Sequence, residues 1–228
     1  LEIFGTLEGL VQAKGELVRA VSPTGIVVLG AEHDYVSQLE NMARAPVRKV
    51  RGKGTELSRN ITRAVCRHIG IPAEVVESAL RDFKSPEARL NRLDLPGMTV
   101  IDDTWNANPL SMKLGLDTLA EIAGPQRRRL AILGYMAELG EQAPSYHEEV
   151  GAYARSRADV LIGVAELSRH YNPDYWFDSC EACVTALDKL VRTDDCLFVK
   201  GSHSARMWKV VEKLREIAAT RQDARCRA

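Results

Sequence analysis

The chain has 228 residues, of which 45% are hydrophobic, so it can bury a sizeable core, and extended disorder is excluded. Its 31 Lys and Arg residues balance 31 Asp and Glu residues, which argues against nucleic acid as a partner, although local basic patches remain compatible. No apolar run approaches the roughly 20 residues of a membrane span, so we expect no such span. Early charges such as Glu2 and Glu8 lead us to expect no signal peptide. Five scattered cysteines favour the reducing cytoplasm over a disulfide framework.

The first part of the chain predicts helices around two short strands. Apolar residues at helical spacing predict a helix over residues 4–21. The stretch Arg51-Gly52-Lys53-Gly54-Thr55 lacks the earlier glycine and the adjacent Lys-Thr of a P-loop, so we interpret it as a strand-to-helix loop. Lys84–Pro96 is polar and contains proline, which predicts a linker. The remaining predictions are strands at 26–29 and 46–50 and helices at 34–42, 61–69 and 72–83.

From Met98 onward, predicted strands and helices alternate along the chain. Alternation of this kind predicts a mainly parallel sheet with helices on both faces. The last ten residues are charged and are predicted to fray. The predicted strands are Met98–Ile101, Arg129–Leu133, Asp159–Val164, Tyr175–Phe177 and Cys196–Val199, and the predicted helices are 110–123, 145–156, 180–191 and 204–218.

Polar side chains gather where the Met98–Ile101 strand gives way to the next helix. Asp102, Asp103, Asn106 and Asn108 follow the strand within seven residues. Ligands of open α/β sheets bind outside the carboxyl ends of strands, which favours a functional loop. A capped turn accounts for the same residue types, because Asp and Asn also favour turns and helix starts.

Two further loops of unusual composition follow other predicted strands. They are Leu133–Gly140 and Lys200–Ser204. In the second loop a glycine lets a ligand approach the backbone and a helix start offers free amides to an anion, although a Ser-capped helix fits equally well. Because these strands are predicted to be parallel, we expect all three loops to line one rim of the sheet.

Cys180 and Cys183 have the spacing of a metal or redox pair. However, they share one helical face with Val184 and Leu187, where free cysteine packs well. Since the sequence contains no second pair to complete a zinc site, we interpret both as buried structural residues.

These stretches together resemble the Mur ligases of bacterial cell-wall synthesis, in the branch that adds D-alanyl-D-alanine to a UDP-N-acetylmuramoyl tripeptide. Asp102–Pro109 matches a DDSYNANP-like segment, Gly134–Gly140 a GDMxELG segment and Val199–Ser204 a VKGSRS segment. Leu1–Leu17 matches the continuation of an HLExFGSLEGxAxAKGEL segment. Four ordered matches between residues 1 and 204 make chance similarity improbable.

The resemblance implies an ATP-dependent amide-bond ligase in an α/β fold. A Rossmann-like C-terminal domain over residues 91–228 would follow a truncated α/β ATPase-type central domain over residues 1–90. ATP would phosphorylate the carboxylate of a UDP-muramoyl peptide, and a D-alanyl-D-alanine-like amine would attack the acyl phosphate. The hinge that lets the C-terminal domain swing would lie at Lys84–Leu95.

The resemblance also assigns site residues. Lys14 matches a carbamylated lysine whose anionic oxygens suit Mg²⁺, although without the family it would be read as a surface lysine. The remaining residues are expected near the nucleotide (Arg89, Asp103, Asn106) or near the incoming amine (Asn108, Lys200, Ser202, Ser204).

The sequence departs from the family pattern in ways that bear on activity. The family's phosphate-binding GKT loop and its Mg²⁺-binding histidine would lie before Leu1. The GRHNxxN segment is replaced by Gly52–Ser58, and Ala88, Tyr135, His203 and Trp208 replace a glycine, an aspartate, an arginine and a glutamate, respectively.

Two hypotheses therefore remain. The chain is a piece of a working or once-working ligase whose P-loop-bearing N-terminal part lies on another chain or in the full-length protein. Alternatively, it is a non-catalytic binding module on a ligase scaffold. Under both hypotheses we expect the chain alone to be inactive.

Overall fold

The computed structural model describes residues 4–83 and 87–227, with side chains to residue 223. The chain divides into two units between Lys84 and Ser85. This division lies near the predicted domain boundary at residue 90, and the assignment of the first unit to an ATPase-type domain stays a prediction. Among the described residues, no helix has the length and apolar character needed to cross a membrane.

The first unit packs helices around a two-stranded parallel sheet. Strands β1 and β2 pair with Val27 opposite Val47, and the buried centre is small, comprising Val18, Val27 and Ala45. The loop interpretation of residues 51–55 is confirmed for 51–53, which connect β2 to α3. The elements are α1 Leu7–Ala20, β1 Val27–Gly30, α2 Val36–Met42, β2 Val47–Val50, α3 Gly54–His68 and α4 Ala73–Asp82.

The second unit has the predicted α/β architecture, a mainly parallel sheet with helices on both faces. The sheet order is β3-β4-β8-β5-β6-β7, and only β3 runs antiparallel to its neighbour among the described pairs. The strands are β3 Asn91–Leu95, β4 Met98–Asp103, β5 Arg129–Gly134, β6 Val160–Val164, β7 Tyr175–Phe177 and β8 Asp195–Lys200. The α-helices are α5 Pro109–Ala123, α6 Ala143–Ala154, α7 Cys180–Leu190 and α8 Trp208–Arg227.

The linker prediction for Lys84–Pro96 is wrong over Asn91–Leu95, which form the antiparallel edge strand β3. Leu93 and Leu95 pack against the core while Arg92 and Asp94 are exposed. An edge strand with one solvated face alternates apolar and polar residues, so its composition resembles that of a loop. Residues 84–86 of the predicted linker and hinge lie outside the described residues.

Alternation along the central strands separates two cores. Val100, Leu130 and Leu197 face α7 and α8, whereas Ile101 and Phe198 face α5 and α6. Because successive side chains of a strand point to opposite faces, each buried central strand serves both cores. The polar loops that follow β4, β5 and β8 all begin at the carboxyl ends of these strands, on the same side of the sheet.

The last helix differs from its predicted bounds. Residues 203–205 form a single 3₁₀ turn, Arg206 adopts a positive φ of 54°, and α8 begins only at Trp208. The helix then continues to Arg227, through residues 219–227 that were predicted to fray.

Replacing Gly151 tests the packing of α6 against the segment 166–171. A Cβ at Gly151 would lie 2.6 Å from the Tyr171 Cα and would also meet its carbonyl oxygen. A Gly-to-Ala change inside a helix normally stabilises by about 1 kcal/mol, but backbone overlap reverses the sign. We expect Gly151→Ala to destabilise this unit by about 1–3 kcal/mol.

Urea unfolding followed by tryptophan fluorescence measures this change, because all three tryptophans (Trp105, Trp176, Trp208) belong to the second unit. Ala152→Ser, on the exposed side of the same helix, is the control and should shift stability by less than about 0.5 kcal/mol. A more stable Gly151→Ala variant would contradict the packing argument.

Candidate functional site

Three loops meet at the carboxyl ends of β4, β5 and β8. The Ser202 amide donates to the Tyr135 carbonyl oxygen at 3.0 Å, and the Ala137 amide donates to Ser202 Oγ at 2.8 Å. The loop after β4 is held to β8 by contacts of Lys200. The predicted convergence of these loops on one rim is confirmed.

A buried ion pair joins β4 to β8. Lys200 Nζ lies 2.5 Å from Asp103 Oδ2 and donates to the Asn106 carbonyl oxygen at 2.6 Å. The Lys200 side chain is 2% exposed, and this burial lowers its pKa although Asp103 acts in the opposite direction. The second carboxylate oxygen of Asp103 accepts from the Leu90 amide at 3.1 Å. Both side chains are therefore engaged within the fold, and the ligand contacts predicted for them stay predictions.

Two glycines form the floor between the β5 and β8 loops. A Cβ on Gly201 would lie 3.1 Å from the Gly134 Cα and 2.7 Å from Met207 Cγ. Real Cβ atoms essentially never lie within 3.0 Å of another heavy atom, and Met207 side-chain atoms fall inside that distance at both glycines. A larger residue at Gly134 or Gly201 would therefore require Met207 to shift. We call Gly134, Gly201 and Met207 the glycine floor.

The polar turn after β4 contains two asparagines with different roles. Asn108 caps helix α5, and the Asn106 side chain is exposed. Asn108 forms a reciprocal capping box with Ser111, its Oδ1 accepting from the Ser111 amide at 2.9 Å and its own amide donating to Ser111 Oγ at 3.1 Å. Asn106 is exposed, and its Oδ1 accepts from the Ala107 amide at 2.8 Å. The capped-turn interpretation thus holds for Asn108, while Asn106 presents its side chain at the rim.

The Ser-cap interpretation of the β8 loop does not hold for Ser202. Its hydroxyl makes no capping bond to the 3₁₀ turn that follows and instead accepts from the β5 loop, as described above. Ser204 is exposed, and its hydroxyl accepts from the Tyr135 hydroxyl at 2.7 Å. Both serines therefore join the β5 and β8 loops, and their predicted substrate contacts are untested.

A row of ring systems lies along the rim. The His203 ring lies between Trp105, at 5.3 Å, and Trp208, at 4.9 Å. The Arg89 guanidinium lies 5.3 Å from the Trp105 ring centroid, and Trp105 is 51% exposed. We call these four residues the aromatic row. It places Arg89 beside the loop that carries Asn106.

His147 holds the loop after β5 through a buried hydrogen bond. The sequence predictions did not include it among the site residues. Its Nε2 accepts from the Met136 amide at 3.0 Å, so Nδ1 carries the proton and donates to the Ala143 carbonyl oxygen at 2.6 Å. The Tyr171 hydroxyl donates to the Gly134 carbonyl oxygen at 3.0 Å. The spacing of His147 from Ala143 and Val150 marks it as inward-facing, which was the available sequence pattern.

Lys14 lies in the first unit, exposed on α1. Within the described residues, no group of three or more His, Cys, Asp or Glu side chains could hold a metal ion. A carbamate on Lys14 would add one oxygen-bearing group, so the described part of the chain does not by itself supply the oxygen-rich sphere that Mg²⁺ prefers.

Cys180 and Cys183 are structural, as predicted. Both are free and buried on α7, together with Leu187. Burial raises the pKa of Cys180 to about 11 and that of Cys183 to about 12. Both thiols are therefore protonated near neutral pH, which suits core packing rather than metal binding or redox exchange.

Comparison with known proteins agrees with this geometry. Residues 88–203 match the family described as "Mur ligase, glutamate ligase domain". A UDP-N-acetylmuramoyl-tripeptide--D-alanyl-D-alanine ligase of Mycobacterium tuberculosis is 34% identical, over 69% of this chain and 39% of its own length. The protein of the same name from Escherichia coli is 26% identical, over 95% of this chain and 58% of its own length.

Solved structures show the same fold. MurF ligase from Thermotoga maritima, in complex with ADP, superposes with a TM-score of 0.84 at 20% identity, over 97% of this chain and 60% of that one. A bifunctional folylpolyglutamate synthase/dihydrofolate synthase with Mn, AMPPNP and L-glutamate bound gives a TM-score of 0.68 at 15% identity, over 91% and 57%.

The sheet and its three loops define an α/β ligase-type domain, and the chain belongs to the Mur ligase family. The branch inferred from the motifs is also confirmed, since the two relatives named above carry that branch's name. The chain spans no more than about three fifths of either relative.

Removing Lys200 tests the buried pair. Lys200→Met leaves the Asp103 carboxylate buried without its cation, so we expect a loss of about 3–5 kcal/mol in the free energy of unfolding of the second unit. Tryptophan fluorescence in urea is the measurement. Lys113→Met removes the more exposed partner of Glu149 and should cost less than about 1 kcal/mol. Equal losses in the two variants would refute a special role for Lys200.

The buried His147 predicts a pH dependence of stability. Burial lowers its pKa below the ordinary value of about 6.5, so the unfolded chain takes up a proton first as the pH falls. The contribution of neutral His147 to the free energy of unfolding is complete above about pH 6.5. It is lost as the pH falls from there to the lowered pKa of the folded state, and the free energy of unfolding then changes by at most about 1.4 kcal/mol per pH unit.

Urea unfolding at a series of pH values between 5 and 7.5 measures this effect as the difference between the wild type and His147→Gln. Glutamine does not titrate and retains one donor and one acceptor. Parallel profiles for the two proteins would show that His147 does not carry the dependence.

Proposed function

We propose that this chain is part of an ATP-dependent amide-bond ligase that adds D-alanyl-D-alanine, or a related amine, to a UDP-muramoyl peptide. The names of its relatives support this activity. The observation that carries the proposal is the meeting of the Asp102–Pro109, Gly134–Gly140 and Val199–Ser204 segments at one edge of the sheet.

The roles we assign divide the site into two layers. In the inner layer Asp103, Lys200 and Ser202 position the loops through the contacts described above. In the outer layer Arg89 and Asn106 are exposed and would contact the nucleotide. Exposed polar atoms are available to a ligand without disrupting the fold, whereas the buried pair is not.

The incoming amine would lie over Asn108 and Ser204, both exposed near the start of α5 and the 3₁₀ turn. Ser204 already accepts from Tyr135 and keeps a donor proton to offer. ATP would supply the phosphoryl group that activates the substrate carboxylate. The protein's part is to align that carboxylate with the amine, since positioning dominates phosphoryl transfer.

Residues outside this sequence would complete the centre. We propose that a P-loop-bearing segment holds the ATP phosphates. For the first unit, we propose that Lys14, accessible on α1, becomes carbamylated and offers one oxygen-bearing group to Mg²⁺. A phosphate cradle is central to phosphoryl transfer, so the chain alone should not catalyse the reaction.

A second candidate function is that of a non-catalytic binding module. One observation favours it: Asp103, Lys200 and Ser202 already have their polar atoms engaged in holding the loops together. These contacts hold the fold together without any bound substrate. A domain stabilised in this way could bind a partner through the aromatic row without catalysing a reaction.

Activity and binding measurements on the purified 228-residue chain test both candidates. With ATP, Mg²⁺, UDP-muramoyl tripeptide and D-alanyl-D-alanine we expect no ADP release, and measurable release would contradict the predicted inactivity. In calorimetric titrations we expect D-alanyl-D-alanine or ATP to bind, and binding of neither would favour the module.

Asn106→Ala should weaken the observed binding by about fivefold, the usual effect of one lost hydrogen bond. Gln126→Ala removes an exposed amide before β5, at the other end of that strand, and is the matched control. Equal affinity of the two variants would remove Asn106 from the site.

A further inference from the structure

The first unit contains a cleft lined by arginines that the proposed function does not use. Its volume is about 350 Å³, and it lies between β2 and α3. Four arginine residues line it, along with Glu56 and Asn60. The arginines are Arg48, Arg51, Arg63 and Arg67.

The local structure explains why these arginines share one cleft. Arg48 and Val50 are two residues apart on β2 and point to the same side of the strand. Asn60, Arg63 and Arg67 follow at three- and four-residue steps along one face of α3. Residues distant in sequence thus bring four cations to a single concave surface.

The connection between the two elements closes one end of the cleft. Gly52 has φ +127°, and a Cβ there would lie 3.0 Å from the Leu57 amide nitrogen. The backbone beside Arg51 therefore lies directly against the first turn of α3. The Asn60 side chain donates to the Arg51 carbonyl oxygen at 2.8 Å, which fixes this approach.

Only one of the four arginines has a carboxylate partner in the described part of the chain. Glu77 binds Arg63 in a two-pronged pair, with Nε–Oε1 at 2.6 Å and Nη2–Oε2 at 2.8 Å. Arg63 also donates to Asn60 at 3.0 Å, so its position is fixed. No described carboxylate lies within 4.0 Å of the other three. Even with Glu56 present, the cleft keeps a surplus of positive charge.

We propose that this cleft binds a small phosphate-bearing anion, with a pyrophosphate group as the chemical unit recognised. Guanidinium forks match phosphate oxygens in paired hydrogen bonds, and an anion relieves the mutual repulsion of the arginines. The volume is at the lower end of small-ligand pockets, which suits a compact anion rather than an extended polymer. The proposal goes beyond the ligase activity and does not depend on it.

The unit recognised occurs both in free pyrophosphate and in a nucleotide. Calorimetric titration of the full chain with pyrophosphate, ATP and adenosine, at about 50 mM NaCl, distinguishes the sources. We expect pyrophosphate to bind saturably, ATP to bind through the same arginines, and adenosine not to bind. Added salt should weaken the binding, because the arginines are accessible to solvent.

The decisive variant is Arg48→Gln/Arg67→Gln. Both side chains are exposed and lack a carboxylate partner among the described residues, so their replacement leaves the fold intact. We expect pyrophosphate affinity to fall at least about tenfold, as for the loss of charge-assisted hydrogen bonds. Arg44→Gln removes an exposed arginine of the same unit that does not line the cleft, and it should change affinity by less than about twofold.

Three results would overturn the proposal. They are an absence of saturable pyrophosphate binding to the wild type, equal weakening in the Arg44→Gln control and in the cleft variant, and binding of adenosine without pyrophosphate. The last result would identify the cleft as a base site. ATP binding that weakens in the cleft variant but not in Asn106→Ala belongs to the cleft, and the opposite pattern assigns it to the rim. Failure of this proposal is therefore separable from failure of the proposed function.

Discussion

The buried Lys200–Asp103 pair is the constraint on which the rest of the site depends. Taking two ions out of water costs several kcal/mol for each ion, and that cost is offset only when partners surround them in good geometry. Here the partners come from the end of β4, through the Asp103 carboxylate, and from the loop after it, through the Asn106 carbonyl oxygen. The loop cannot leave without exposing an uncompensated charge, so the ends of two strands are fixed to each other.

This pair determines which polar groups remain available at the rim. Asp103 also holds the Leu90 backbone, and Ser202 holds the β5 loop. The side chains with room for a ligand are therefore the more exposed ones, among them Arg89, Asn106 and His203. The residues that hold the loops in place are therefore different from the residues whose side chains are exposed at the rim.

Much of the second unit could be predicted from the sequence, because buried parallel strands alternate with helices at lengths that leave few other folds. The convergence of the three loops followed from topology alone. The edge strand Asn91–Leu95 was missed, since its Asn-Arg-Leu-Asp-Leu pattern carries only two apolar side chains. A local hydrophobic pattern describes one segment without its neighbours. A short edge strand such as β3 is identified only by its hydrogen bonds to the adjacent strand.

The sequence was sufficient to predict where the candidate site lies, but not which contacts its residues make. Sequence reasoning brought Asp103 and Lys200 to the rim, but it could not show that they bond each other, because that contact joins residues 97 positions apart. His147 was overlooked because a single histidine on an apolar face is usually a packing residue. The arginine cleft was likewise invisible, since its members come from separate elements and the overall charge is balanced.

The glycine floor has a consequence for how this scaffold diverges. A side chain at Gly134 or Gly201 would displace Met207, so a substitution there disturbs the packing beneath the site before it adds a contact for recognition. New specificity has to arise at projecting positions such as Tyr135 and His203, which can be exchanged while the base keeps its shape. Proteins that share the glycine floor can therefore change their ligand specificity while the fold beneath the site stays the same.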